Sequence, residues 1–300
     1  SPKVDIRTYS TEQKFQTVSG TRGTKMSSIE VTAISLPKIL KNLDEGEWLA
    51  PEFQRGFVWT TAQIIGLVNS IMDAKPIGMA TLWQQEDKSD LPLEHISVTD
   101  DFAGDVGVER YFGKKDERPG RYYAILDGKQ RSTAIAMVFG GLRATNGKRK
   151  YSGSYYLNAA YHDVQDRVVY LSNREVEQRS LDNIASYVQQ TLFPLELDNS
   201  NALTQHFFTF ISSIENDQYY AAGQIPSQEE KAKRQKVVQA AYEGIQATRL
   251  AVYIVPKDES LAEICDIFET LNTTGTKVST VDLIHSWVYA ETNDSSSPIL

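Results

Sequence analysis

The stretch Tyr122-Tyr123-Ala124-Ile125-Leu126-Asp127-Gly128-Lys129-Gln130-Arg131-Ser132-Thr133-Ala134-Ile135 constrains this chain more than any other. Its first five residues are aromatic or apolar, the composition of a buried strand. Asp127-Gly128 is a turn dipeptide, and the run Ala134-Ile135-Ala136-Met137-Val138-Phe139 reads as a helix that stops at Gly140-Gly141. A strand that turns through glycine into a helix presents backbone N–H groups where an anion is favoured. Lys129, Gln130 and Arg131 add two cations and an amide there, so the segment reads as a phosphate cradle that is neither a Walker A loop nor a dinucleotide fingerprint. On these residues alone, an ordinary surface turn explains the pattern as well.

The chain of 300 residues has room for one large domain or two of moderate size. Its net charge of −8 argues against a surface that grips DNA throughout, because phosphate contacts dominate such affinity. A local patch stays open. Arg143, Lys148, Arg149 and Lys150, around Asn146-Gly147, form the densest basic cluster, either a solvated hairpin tip or a DNA contact. One cysteine, Cys265, leaves no internal disulfide and points to a reducing, cytoplasmic setting. No apolar run approaches the roughly 18–20 residues of a membrane span, so no membrane partner is expected. The histidines His95, His162, His206 and His285 are scattered, with no metal-ligand spacing and no CxxC, and no metal site is expected.

In order along the chain, residues 1–28 read as a flexible arm. Ser35 caps a helix carrying Leu36, Ile39, Leu40 and Leu43. Pro51 and Gly56 break regular structure between Trp48 and Trp59, so Gln54 and Arg55 are expected on a displayed loop beside buried aromatics. Thr60 or Thr61 caps a helix with Ile64, Val68 and Ile71 on its apolar face, and residues 78–83 read as a strand. Residues 84–119 read as a polar excursion with a hairpin. Residues 155–161 and 167–171 read as paired strands, residues 181–193, 203–219 and 228–248 as helices, and residues 250–255 as a strand. Beyond these, Ser260 and Glu263 cap a helix, and Asn272-Thr273-Thr274-Gly275-Thr276-Lys277 is a glycine-bearing loop able to present N–H and O–H donors to a phosphate. The chain opens on Ser1, which reads as a trimmed end, and residues 293–300 read as the start of a linker to a further domain.

Three separated segments together resemble one family. They are Pro51-Glu52-Phe53-Gln54-Arg55 with Trp59, Ile125-Leu126-Asp127-Gly128-Lys129-Gln130-Arg131, and Ile267-Phe268-Glu269-Thr270-Leu271-Asn272-Thr273-Thr274-Gly275 with Asp282-Leu283. In order and spacing they resemble the N-terminal domain of GmrSD-type modification-dependent restriction enzymes and SspE-like phage-defence effectors, with Lys129 standing where the family's motif usually has Gln. The resemblance implies an α+β fold, a small ParB/sulfiredoxin-like sheet with a substantial helical layer. It implies one domain over residues 29–292 with a helical insertion at about 181–248. It further implies a nucleoside triphosphate ligand, with Mg²⁺ as its candidate companion, and DNA, including modified DNA, as partner. A separate C-terminal nuclease domain would be the regulated element. Asp127, Gln130 and Arg131 are then the expected catalytic residues. Gln54, Arg55, Gly128, Lys129, Ser132, Asn272, Thr274, Gly275 and Thr276 are the expected nucleotide contacts. A non-enzymatic module that binds modified DNA, with a vestigial nucleotide site, is the alternative, and DNA cleavage by this chain alone is not expected.

Overall fold

The computed structural model describes residues 30–52, 54, 56–86, 91–100, 108–111, 120–140, 143–144, 153–196, 202–259, 263–264 and 267. Strand β1 (Glu30–Ser35) leads into helix α1 (Leu36–Asp44), then β2 (Trp48–Pro51), α2 (Thr61–Met72) and β3 (Met79–Gln85). Short strands β4 (Leu93–Glu94), β5 (Ser97–Asp100) and β6 (Val108–Tyr111) precede β7 (Tyr122–Asp127) and α3 (Lys129–Ile135), which runs on through a π-helical turn to Gly140. After β8 (Arg143–Ala144) come β9 (Gly153–Asn158), β10 (Val168–Ser172), α4 (Asn173–Gln178), α5 (Ile184–Gln189) and β11 (Leu192–Pro194). Helices α6 (Ala202–Ile214) and α7 (Gln228–Ala247) and strand β12 (Arg249–Val255) follow.

Six strands form the main mixed sheet in the order β1-β12-β3-β7-β2-β4, and β10-β9-β11 and β5-β6-β8 form two smaller sheets. The class is α+β, as expected. The period-2 alternation of strands sorts side chains between two cores. Ala80, Leu82 and Ile125 pack with Leu36, Ile39, Val68, Ile71 and Phe139 from the helices. On the opposite face Leu49, Trp83, Ala124, Leu126 and Val255 pack with Ile264. Helix α2 begins with a capping box, Thr60 with Gln63, and lays Ile64, Val68, Ile71 and Met72 into the first core. The long helix α7 reaches α2 closely. A Cβ on Gly244 would sit 1.9 Å from the Met72 carbonyl oxygen, and Thr248 Oγ1 donates to the Ile71 carbonyl at 2.9 Å. Among the described residues no helix is long and apolar enough to cross a membrane.

Four elements differ from the expectation. Strand β1 lies at the edge of the sheet with Val31 well exposed, so its burial pattern is faint in sequence. Strand β2 ends on Pro51, a residue tolerated at strand ends because only a ladder N–H is lost there. The helix expected over residues 181–193 stops at Gln189, and Leu192 and Phe193 belong to β11, paired with β9. Helix α4 is short and has no buried residue, so it carries no apolar stripe. The arm at residues 1–28, the helix cap at Ser260 with Cys265, and the end at residues 293–300 lie outside the described residues.

Candidate functional site

Strand β7 ends in an irregularity. Thr81 of β3 pairs with Asp127 and Leu82 with Ile125, which leaves Leu126 as an extra residue, a β-bulge. On the other side the parallel partner β2 reaches only to Ala124. Where that ladder stops, Gln54 takes over. Its Nε2 donates to the Ile125 carbonyl at 2.6 Å and to the Leu126 carbonyl at 3.2 Å. Gln54 is 8% exposed, which corrects the expectation that it is displayed to solvent. Buried carbonyls freed by a bulge need donors, and the amide goes inward to supply one.

The turn itself depends on Gly128. Its φ of +95° lies in the left-handed region, and a Cβ there would lie 3.0 Å from Ala80 Cβ. Both facts require glycine. The next three side chains then diverge. Lys129 turns into the interior, 8% exposed, where Nζ donates to the Gln54 carbonyl at 3.2 Å and stands 3.7 Å from Glu94 Oε1. Gln130 reaches the loop before α2, with Oε1 accepting from Val58 N and Nε2 donating to the Gly56 carbonyl, both at 2.9 Å. Arg131 runs to the start of β3, where Nη1 donates to the Met79 carbonyl at 2.5 Å.

The Arg131 guanidinium lies directly over Gly78. A Cβ at Gly78, whose φ is +86°, would come within 2.7 Å of Nη2 and 2.9 Å of Cζ. Burial pulls the guanidinium below its ordinary value, while the negative charge of Asp127 acts in the opposite direction. An arginine so placed stays charged. Asp127 is exposed at the end of β7, so the turn sets a half-buried cation beside an accessible carboxylate. With one Arg131 donor used on Met79, its remaining N–H groups can still fork onto an oxyanion.

Residues 36–289 match the family described as GmrSD restriction endonuclease, N-terminal domain. The chain belongs to that family. An uncharacterised protein of Methanocaldococcus jannaschii is also similar, 28% identical over 190 residues, which are 60% of this chain. That match spans 31% of the relative's own length.

Within this GmrSD-type domain, two of the three segments noted in the sequence meet: Gln54 bonds to β7, and Lys129 bonds back to Gln54. Asn272, Thr274, Gly275 and Thr276 of the third lie outside the described residues, as do Arg55, Lys148, Arg149 and Lys150. The backbone of Arg143 is in β8. Ser132 is fully buried, and its Oγ has no hydrogen-bond partner among the described residues. Among the described residues no group of three metal-ligating side chains occurs. A Mg²⁺ ion carried by a nucleotide keeps several waters and needs only one or two carboxylates beside the phosphates, so the exposed Asp127 fits such an ion. Sequence reasoning did not single out Gly78, Met79 or Glu94. Gly78 follows Pro76-Ile77 just before a strand, a punctuation signal for a turn; the Met79 contact is made by a backbone carbonyl and leaves no side-chain signal.

Proposed function

We propose that this chain is a nucleoside triphosphate-binding sensor domain that hydrolyses its nucleotide and regulates a separate nuclease domain, as part of cytoplasmic modification-dependent restriction. The observation that carries the reading is Arg131, held over Gly78 by the Met79 carbonyl with exposed Asp127 beside it. Arg131 takes phosphate oxygens in a forked pair. Asp127 orients water, and would hold a phosphate-borne Mg²⁺ that neutralises charge on the phosphates. Gln54, Gly128, Lys129 and Gln130 shape the pocket by fixing the two loops that frame it, with Arg55 and the Asn272, Thr274, Gly275 and Thr276 loop supplying further phosphate contacts. The family's description as a restriction endonuclease supports DNA as the partner.

A second reading, a DNA-binding module whose turn is purely architectural, draws on the fact that Lys129 and Gln130 both bond to protein backbone. One experiment separates the two. Binding and turnover of ATP, GTP, CTP and UTP are measured with and without modified DNA. Saturable binding of at least one nucleotide, with turnover that responds to DNA, supports the sensor; DNA binding without any nucleotide binding supports the module.

A further inference from the structure

A cleft of about 640 Å³, lined by no residue of the 127–131 turn, lies between the first turns of α2 and the β9, β10 and β11 sheet. Tyr161 and Tyr170 are among its walls, and both rings are braced. The Arg167 guanidinium stands 5.8 Å from the Tyr161 ring centroid, and Tyr155 lies 5.0 Å from Tyr170, ring to ring. Rings fixed in advance lose little freedom when a planar ligand stacks on them.

The polar walls are also arranged by the fold. Asn158 Oδ1 accepts from Ala160 N at 3.0 Å and from Thr191 Oγ1 at 3.1 Å, which leaves its amide nitrogen uncommitted among the described residues. Gln190 Nε2 donates to the Arg179 carbonyl at 2.9 Å, which leaves its oxygen to accept. The cleft therefore offers amide donor and acceptor groups, the pairing that reads the edge of a heterocyclic base. The exposed side chain of Arg179 supplies a cation, and the Asp166 carboxylate stands on the same wall.

The cleft wall includes a left-handed residue, Thr191, directly after the end of α5. Among the described residues the non-glycine positions with positive φ are Ala74, Ser180 and Thr191, and Thr191 lines the cleft while Ser180 follows Arg179. A β-branched residue at φ +59° is a genuine outlier. Three hydrogen bonds hold it: Ala159 N to its carbonyl at 2.7 Å, its own N–H to Val188 at 3.1 Å, and its hydroxyl to Asn158.

We propose that this cleft receives a single unpaired nucleobase of DNA, stacked on the braced tyrosines, with Asn158 and Gln190 on its edge and Arg179 on the adjoining phosphate. A base can enter such a cleft once it has left the helical stack. The proposal rests on the reading of the chain as a DNA-sensing domain and locates the sensing. Thr61 and Ile65 of α2 line the cleft, and α2 begins directly after the loop that Gln130 holds, so a continuous stretch of backbone joins the cleft to the motif.

The test compares two duplexes at fixed salt, one carrying a single bulged 2-aminopurine and the other fully paired, by fluorescence and affinity. The full chain should bind the bulged duplex more tightly and quench its fluorescence. Tyr161→Ala should weaken that binding by about 5- to 150-fold, the range for loss of one base–aromatic stack. Should Tyr161→Ala fold poorly, Arg179→Ala, which changes only an exposed side chain, should still weaken bulged binding and flatten its salt dependence. Neither change should alter affinity for the paired duplex. Equal binding of both duplexes, or a bulge preference that survives both substitutions, would overturn the proposal and leave the DNA-sensing reading standing. Failure to bind either duplex would remove that reading and the proposal with it.

Discussion

Lys129 Nζ lies 3.2 Å from the carbonyl oxygen of Gln54, so the first cation after the Asp127-Gly128 turn points into the domain. With Glu94 3.7 Å away, it ties α3 to both β4 and the segment after β2. Removing one member of a buried ion pair leaves the other charge without compensation. Glu94 is about a third exposed, which tempers the loss. Lys129→Ala is therefore expected to cost about 1–3 kcal/mol of stability, the range for an abandoned buried polar partner. A double-mutant cycle of Lys129→Gln with Glu94→Gln, followed by urea denaturation, should give a coupling of about 0.5–3 kcal/mol. Additive effects would mean that the pair carries no joint energy.

Gly78 and Gly128 both occupy left-handed backbone, yet their substitution should differ in kind. At Gly128 an added Cβ meets the Ala80 backbone and side chain, so Gly128→Ala should destabilise the whole domain by about 1–3 kcal/mol. At Gly78 it meets the end of the Arg131 side chain, which can move aside. Gly78→Ala should displace the guanidinium and weaken nucleotide binding by more than its effect on folding accounts for. Thermal denaturation alongside nucleotide titration of each variant distinguishes the two behaviours.

The Gln130 amide closes on Gly56 and Val58 from both ends. Each such bond contributes about 0.5–1.5 kcal/mol net, and here both are solvent-accessible. Gln130→Ala should lower global stability only slightly. Its mark should be local, as faster hydrogen exchange at the Val58 amide with little change at the amides of β7. Unchanged exchange at Val58 would show that the loop holds its position without the clasp.

Acid should loosen the contact between α2 and the smaller sheet. The Asp73 carboxyl is held below its ordinary value by hydrogen bonding from Lys75 and then from Arg167, against a burial effect of opposite sign. Its folded pKa lies below the unfolded one. The stability it adds is thus complete above the ordinary aspartate value of about 3.9 and is lost as pH falls through the folded value. Denaturation midpoints measured from pH 7 down to pH 2 should fall at the acid end, and Asp73→Asn should reduce that fall. An identical acid limb in the variant would rule the pair out as a contributor.

The sequence made the helices α1, α2, α6 and α7 legible because each carries an apolar stripe at helical spacing, as with Ile64, Val68 and Ile71. Strands β3, β7 and β12 were legible as apolar runs between turn signals. What stayed hidden depends on contacts remote in sequence. Gln54 is polar and sits between Pro51 and Gly56, so it reads as a loop residue, and only the bulge at Leu126, 72 residues on, gives it carbonyls to bury against. Lys129 likewise reads as a solvent-facing cation until Glu94 and the Gln54 carbonyl are placed beside it. Arg131 kept its cationic character through the fold, but the backbone carbonyl of Met79 that aims it has no side-chain signature.

The central claim is that Arg131, held over Gly78, is the phosphate-binding cation of a nucleotide site. It is tested most directly by calorimetric titration of the preferred nucleoside triphosphate into the wild-type chain and into Arg131→Ala. Loss of a charge-assisted bond predicts affinity weaker by about 1.5–3 kcal/mol, roughly 10- to 150-fold, in a variant whose circular dichroism is unchanged. Equal affinity in the two proteins, with the fold intact, would contradict the claim and leave Arg131 as a brace for the start of β3.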